Sequence, residues 1–147
     1  MKGFKHKTEI QIRFKDVDMM GHVNNANHFT YLEIARAKYF DDVVAEEMNW
    51  SKEGIILARS TCDYKMPILF NDKVFVYTKC SRIGNKSFEL SYAIIKDLSL
   101  SPSPVGEGRG EVVLAEASTI QVCFDYEKRE NILMPEKWKK KIEAFEK

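Results

Sequence analysis

One long apolar helix is the feature of this sequence that most restricts how the chain can fold. Residues 26–48 contain neither glycine nor proline, and their apolar side chains recur mostly three and four positions apart, as in an α-helix. Between residues 26 and 40 only Glu33, Arg36 and Lys38 are charged. A helix this apolar has little polar surface to present to water, so we expect other elements to wrap around it.

Alternating apolar and polar residues predict that strands provide this cover. The alternation is found in residues 8–14, 55–66, 73–83, 87–95 and 111–124. One strand precedes the helix and four follow it, with a Gly84-Asn85 hairpin signal between the third and the fourth. This order predicts the α+β class, with a long antiparallel sheet wrapped around a central helix.

Two further segments complete the chain. Residues 98–110 are rich in serine, proline and glycine, which predicts a long hairpin loop. Pro135 begins a second helix that runs to about residue 145 and carries Trp138, Ile142 and Phe145 on one stripe. We interpret this helix as a lid packed on the sheet; a helix that binds a partner or a membrane surface is the alternative.

Composition argues against several classes of function. The 147 residues fit a single domain, and 23 basic against 22 acidic residues give no reason to expect nucleic acid or a membrane as a partner. The sequence contains neither an apolar leader nor an apolar run of about 18 residues. Cys62, Cys80 and Cys123 lack metal-ligand spacing, and no P-loop, dinucleotide-binding or HExxH pattern occurs. We therefore predict a soluble, cytoplasmic protein that uses no metal and no cofactor.

The polar residues that could carry chemistry are concentrated at the junction between the first strand and the long helix. In chain order they are Asp16, Asp18, Gly21, His22, Asn24, Asn25 and Asn27. One of the three asparagines is expected to cap the helix, whose first backbone N–H groups attract negative charge. Because an aspartate is ionised at neutral pH, the junction offers a carboxylate beside donors suited to an oxyanion. The alternative is a tight turn that does no more than cap a helix.

The stretch Phe14-Lys-Asp-Val-Asp18-Met-Met-Gly-His22-Val-Asn-Asn25, together with the order of elements, resembles the hotdog-fold acyl thioesterases of the 4-hydroxybenzoyl-CoA thioesterase family. It also resembles the Asp-x-Asp-x-x-x-His-Val-Asn-Asn signature of plant acyl-carrier-protein thioesterases. A second similarity lies in the stretch from Arg82 to Phe88. The resemblance implies hydrolysis of an acyl-CoA or acyl-carrier-protein thioester by a homodimer or homotetramer. Its subunits would join edge to edge, with the active sites at the interface.

The same resemblance assigns catalytic roles within the junction. Asp18 is implied to attack the thioester directly or to act as general base on water. The backbone N–H groups near Asn25 and Ala26 would bind the oxyanion that forms. His22 could be a turn residue, a substrate orienter or the general acid for the leaving thiol, because branches of the family differ at this position. Asp16 is expected to be a turn or packing residue.

The substrate-binding candidates are spread more widely along the chain. They are Gly21, Ala26, Glu33, Lys86 and Ser87, with Arg59 and Arg82 as weaker candidates. Lys86 and Ser87 match the family's nucleotide-contacting stretch, although each could be an ordinary solvated residue. Glu33 is a carboxylate in an apolar helix and could act as a base, or it could simply form an ion pair with Arg36 or with a lysine of a strand.

The acyl pocket is expected between the helix and the sheet, lined by side chains such as Phe29, Tyr31 and Leu32. Its depth cannot be judged from the pattern, so the length of the acyl group stays open. Two other functions on the same fold also stay open at this point. One is a non-catalytic module that binds acyl thioesters, and the other is a hotdog dehydratase.

Overall fold

The computed structural model describes residues 1–45, 49–100 and 110–147 of the chain. Within these ranges the helices and strands are β1 (His6–Ile10), α1 (Asn25–Val43), β2 (Glu53–Tyr64), β3 (Val74–Ile83), β4 (Ser87–Asp97), β5 (Glu111–Asp125), β6 (Glu130–Asn131) and α2 (Glu136–Glu146). Each of the five segments with alternating residues overlaps a strand. The two-residue strand β6 was not predicted.

The strands form one antiparallel sheet in the order β1-β3-β4-β5-β2, and β6 pairs with β5. β1 and β2 therefore lie at the two edges of the sheet. The register aligns Val122 of β5 with both Ile56 of β2 and Ser87 of β4. At the other end of β2, Tyr64 pairs with Ala115. The predicted α+β fold with a long antiparallel sheet around a central helix is confirmed.

Helix α1 packs on this sheet through one face. Its buried residues are His28, Tyr31, Leu32, Ala35, Tyr39, Phe40 and Val43. They share a core with sheet residues such as Phe88 and Leu90. Phe29 and Ile34, by contrast, remain 39% and 45% exposed. In a single copy the sheet therefore covers one side of the helix, and the expected wrapping is found on that side.

The first strand and the long helix differ from their predicted bounds. β1 ends at Ile10 rather than continuing to Phe14, because the chain turns into a 3-10 helix at Phe14–Asp16. Phe14 is consequently 86% exposed instead of facing the core. α1 ends at Val43, whereas the helix was predicted to reach residue 48; residues 46–48 lie outside the described part of the chain. Most of the predicted hairpin loop, residues 101–109, also lies outside it.

The C-terminal helix α2 covers one end of the core, as the lid interpretation predicts. Trp138 and Ile142 are buried in the core, and Pro135 stands at the N-cap position. Glu146 fixes the far end of the helix, since its Oε1 accepts hydrogen bonds from the Tyr39 hydroxyl and the Cys80 N–H, each 2.7 Å long. Within the described ranges, neither helix is long and apolar enough to cross a membrane.

Candidate active site

The junction between β1 and α1 is anchored by the buried carboxylate of Asp16, which is 1% exposed. The Arg13 side chain donates to it through Nε at 3.0 Å, and Nη2 lies 2.8 Å from Oδ1. The Tyr31 hydroxyl donates to Oδ2 at 2.9 Å. Burial by itself raises the pKa of Asp16, but these hydrogen bonds outweigh it and hold the pKa below the usual aspartate value. Asp16 therefore fastens the junction to α1, as expected of a turn or packing residue.

Asp18 lies two residues further on, at the exposed tip of the junction. Its backbone N–H donates to the carbonyl of His22 at 2.9 Å, and its own carbonyl accepts from the Gly21 N–H at 3.0 Å. This tight turn needs Gly21, whose φ of +77° lies in the left-handed region that glycine adopts most easily. The Met20 N–H donates to Oδ1 of Asp18 at 2.9 Å. The carboxylate is thus held in one orientation while it stays open to solvent.

Asn24 connects this carboxylate to the start of α1. It is the N-cap residue, and its Oδ1 accepts from the Ala26 N–H at 3.0 Å. Its Nδ2 lies 3.5 Å from Oδ2 of Asp18. The cap uses the N–H of Ala26, so of the two predicted oxyanion donors only Asn25 keeps a backbone N–H with no hydrogen-bond partner among the described residues.

A groove of about 430 Å³ opens beside these residues, between the start of α1 and the end of β2. Its lining residues are Asp18, Met20, His22, Val23, Asn25, His28, Tyr64, Lys65, Met66 and Pro67. The structure therefore brings all three predicted catalytic residues, Asp18, His22 and Asn25, to one concave surface. No hydrogen bond of the His22 side chain to the described residues is present.

Among the lining residues that the sequence reasoning missed, Tyr64 and His28 contact the helix start directly. The Tyr64 hydroxyl donates to the Asn25 carbonyl at 3.2 Å, which holds β2 against the helix start. The rings of His28 and Tyr64 meet edge to face, 4.8 Å apart. His28 Nδ1 lies 3.4 Å from the Asn24 carbonyl, which can only accept, so Nδ1 carries the proton when this bond forms. Burial lowers the pKa of His28, which favours the neutral ring.

A sequence signal existed for His28 but not for Tyr64. His28 follows Asn24 by one helical turn, so the two residues share a face of α1. Tyr64 reaches the site only through the pairing of β2 with β5, which no local pattern reveals.

Glu33 lies apart from the groove. Its side chain is 74% exposed, and its Oε1 lies 3.9 Å from Nη2 of Arg36. The expected apolar setting is therefore wrong for one copy of the chain, whereas the alternative of a pair with Arg36 is confirmed. Both residues line a second cleft, of about 540 Å³, between α1 and β2.

The predicted nucleotide-binding residues are also distant from Asp18 within one chain. Ser87 and Ile56 both pair with Val122, so they lie side by side across the sheet. Ile56 is eight positions along β2 from Tyr64, which separates these two residues by roughly 25 Å. Lys86, beside Ser87, donates to the Asn131 carbonyl at 3.4 Å. Arg59 is exposed in the middle of β2. A single copy does not bring Arg59, Lys86 or Ser87 into the groove, whereas Lys65 lines it.

Comparison with known proteins shows similarity to a thioesterase-like family. A family model described as the thioesterase-like superfamily matches residues 12–142. The protein YsmA of Bacillus subtilis (strain 168) is 31% identical over 91 residues, 61% of this chain and 60% of YsmA, so the match spans less than two thirds of that relative. The long-chain acyl-CoA thioesterase FadM of Escherichia coli (strain K12) is 24% identical over 142 residues, 95% of this chain and 98% of FadM.

A solved structure extends the similarity to three dimensions. It is a thioesterase from Thermus thermophilus complexed with coenzyme A and Zn, and it is 29% identical to this chain with a TM-score of 0.79. The superposition covers 99% of this chain and 97% of that one. In the part of this chain that the structure describes, no three His, Cys, Asp or Glu residues are grouped so that they could hold a metal ion.

Proposed function

Since this chain belongs to the thioesterase-like superfamily and has the hotdog fold, we propose that it hydrolyses an acyl-CoA or acyl-carrier-protein thioester to the free acid and the thiol. One observation carries the proposal. The exposed carboxylate of Asp18 is held by Met20 and Asn24 at the same groove where the backbone N–H of Asn25 has no partner in the described chain.

The geometry supports different catalytic roles for the Asp18 carboxylate and the Asn25 N–H. Asp18 accepts a proton from a water molecule whose oxygen attacks the thioester carbonyl carbon, and the carbonyl oxygen becomes an oxyanion. The Asn25 N–H, at the positive end of α1, donates to that oxyanion. When the oxyanion collapses, the carbon–sulfur bond breaks and the thiolate leaves, to be protonated by solvent or a nearby acid.

Direct attack by Asp18 is the second route. It would give a mixed anhydride with the acyl group, which water then hydrolyses. A single turnover in isotope-labelled water detects the anhydride route when water attacks the Asp18 carbonyl carbon, because the label then enters the Asp18 carboxylate. The general-base route places the label only in the released acid.

The test of the function is thiol release from a panel of acyl-CoA esters of increasing chain length. We expect Asp18→Asn to reduce kcat by about 10²–10⁴-fold, because the carboxylate can no longer accept the proton or attack. The matched control is Asp97→Asn, at the end of β4 and outside the groove. Unchanged turnover in Asp18→Asn would contradict the mechanism. Binding of acyl-CoA without thiol release at any chain length would favour a non-catalytic binding module.

We further propose that the working unit is a homodimer joined through the β2 edges, with a tetramer as the alternative, larger assembly. Four apolar residues on or next to this strand are exposed: Ile56 (42%), Leu57 (47%), Tyr64 (46%) and Met66 (51%). Antiparallel pairing of two β2 strands would place the Tyr64 end of one copy beside the Ile56 end of the other. That arrangement would bring the Ser87 end of one sheet toward the Asp18 groove of the other copy.

Sedimentation of the purified protein tests this assembly. A lysine at Ile56 would place a charge in the paired edge, so Ile56→Lys should shift the protein toward monomer and lower its activity. Leu133→Lys is the control, because Leu133 is 67% exposed but lies outside β2. A wild-type protein that sediments as a monomer while hydrolysing its best substrate would contradict the dimeric site.

A further inference from the structure

One peptide group, between Asn24 and Asn25, connects a buried histidine with the proposed oxyanion donor. Its N–H, on Asn25, has no hydrogen-bond partner among the described residues and belongs to the wall of the groove. Its carbonyl, on Asn24, accepts from the Asn27 N–H at 2.9 Å and lies 3.4 Å from Nδ1 of His28. A peptide group is one delocalised, planar unit, so a contact at its carbonyl is felt at its N–H.

The His28 ring is held against this carbonyl in one orientation and one protonation state. His28 is only 4% exposed, and the Tyr64 ring packs on it edge to face, with centroids 4.8 Å apart and ring planes at 83°. Burial lowers the pKa of His28 by more than the carbonyls of Asn24 and Asn25 raise it, so the ring is neutral at neutral pH. A neutral imidazole has one N–H, and the Asn24 carbonyl, which can only accept, fixes that proton on Nδ1.

A hydrogen bond from this Nδ1–H makes the Asn25 N–H a stronger donor, because hydrogen bonds in a chain polarise one another. The effect also runs in the opposite direction. When the Asn25 N–H donates to a negative charge, the Asn24 oxygen becomes more negative and attracts the Nδ1–H more strongly. The distance of 3.4 Å is long for such a bond, and bonds of this kind in a free site often tighten only when the reacting complex forms.

We propose that His28 is a positioning residue for the thioesterase reaction, and that it strengthens the oxyanion-binding Asn25 N–H by donating from Nδ1 to the Asn24 carbonyl. Because this bond gains strength as the oxyanion forms, its loss lowers kcat and leaves KM nearly unchanged. The inference rests on the proposed function, since it deepens the role given there to the Asn25 N–H.

Three substitutions at this one position separate the hydrogen bond from the packing. His28→Asn keeps a donor, because Nδ2 of asparagine takes the place of Nδ1 in histidine, but it loses the ring that packs on Tyr64. His28→Phe keeps a ring without a donor, and His28→Leu has the shape of the asparagine variant without a donor. We expect kcat for the best acyl-CoA ester to fall about five- to tenfold in His28→Phe and His28→Leu, the effect of one neutral hydrogen bond, and to stay within about threefold of the wild type in His28→Asn.

Other patterns of activity, in variants shown by circular dichroism to be folded, would overturn the proposal. Activity that is kept in His28→Phe and lost in His28→Asn would mean that the packing of the ring on Tyr64 matters instead. Equal losses in all three variants would point to Nε2, which none of them retains. Unchanged turnover in all three would mean that His28 has no role in the reaction.

Nuclear magnetic resonance tests the contact without any substrate. A carbonyl carbon moves to lower field when its oxygen accepts a hydrogen bond, and the amide nitrogen of the same peptide group responds with it. We expect the Asn24 carbonyl carbon and the Asn25 amide nitrogen to move upfield in His28→Phe and His28→Leu, and to stay near their wild-type positions in His28→Asn. Resonances that do not move in the donorless variants would overturn the inference even if the enzyme is active. A wild-type protein that gives the expected shifts but releases no thiol would contradict the proposed function alone and leave the polarised N–H established.

Discussion

Asp16 and Asp18 are two positions apart in one junction, yet their carboxylates lie in opposite environments. Asp16 is 1% exposed and accepts from Arg13 and Tyr31. Asp18 is exposed and accepts from the Met20 N–H, with the Asn24 amide at 3.5 Å. The carbonyl of Asp16 also accepts from the Asn24 N–H and the Asn27 side chain, at 2.8 and 3.0 Å. The inner aspartate therefore binds the junction to α1, and the outer one is presented to a ligand.

This difference explains how an exposed turn can carry a precise geometry. A carboxylate at the tip of a free loop would sample many positions, and catalysis depends on a fixed one. Here the ring of hydrogen bonds around Asp16 fixes both sides of the turn, so that Asp18 has little freedom despite its exposure. Stability and reactivity are thereby separated into neighbouring residues, and the two can be tested independently.

The largest expected contrast is between Asp16→Asn and Asp18→Asn. Asp16→Asn removes the charge that pairs with Arg13 in a buried site, and we expect it to lower the free energy of unfolding by about 2–4 kcal/mol. Asp18→Asn should change it by no more than about 0.5 kcal/mol, because the side chain is exposed. Urea denaturation followed by circular dichroism measures both values.

The activities of the same two variants can contradict this separation of roles. Activity assayed well below the unfolding transition should fall in Asp16→Asn, because Asp18 is held less firmly, but by less than in Asp18→Asn, where it should be lost. If the two variants lost equal stability, or if Asp16→Asn lost activity while fully folded to the same extent as Asp18→Asn, the separation of roles would be wrong.

Lowering the pH should reveal the same contrast in stability, and it leaves the residue proposed to act on the substrate, Asp18, in place. The pKa of Asp16 is held below its ordinary value, so its carboxylate stabilises the fold above the unfolded pKa of about 3.9. That contribution is lost as the pH falls through the lower, folded pKa. We expect the free energy of unfolding to fall more steeply below about pH 4 in the wild type than in Asp16→Asn. Parallel curves from urea titrations across this range would contradict the assignment.

Sequence reasoning was most successful where local chemistry decides the structure. The density of aspartate, glycine and asparagine residues located the junction, and one of three named asparagines, Asn24, is the cap. The same reasoning could not foresee that this cap would occupy the N–H of Ala26 and leave Asn25 as the donor. That outcome depends on which asparagine caps the helix, and several candidates fit the pattern equally well.

Geometry that depends on contacts between distant elements was harder to predict from the sequence. The apolar residues of α1 are spread so widely that the pattern did not reveal which face packs on the sheet, so the exposure of Glu33, Phe29 and Ile34 was missed. The distance between Ser87 and Asp18 follows from the register of β2, β5 and β4, which includes a shift between Leu57 and Arg59. Strand alternation predicts faces but not register across a bulge.

Asn24 joins the two halves of the junction, and its substitution gives the smallest and most specific contrast. Asn24→Ala removes the cap and should cost about 1 kcal/mol of stability. Turnover should also fall, because Asp18 loses the neighbouring amide. Asn24→Asp keeps an oxygen for the Ala26 N–H but places a second negative charge beside Asp18. We therefore expect denaturation to show restored stability in Asn24→Asp while thiol release stays low. Recovery of both stability and turnover in Asn24→Asp would mean that Asn24 serves only as a cap. Asn25→Ala, which keeps the backbone N–H, controls for changes at the helix start.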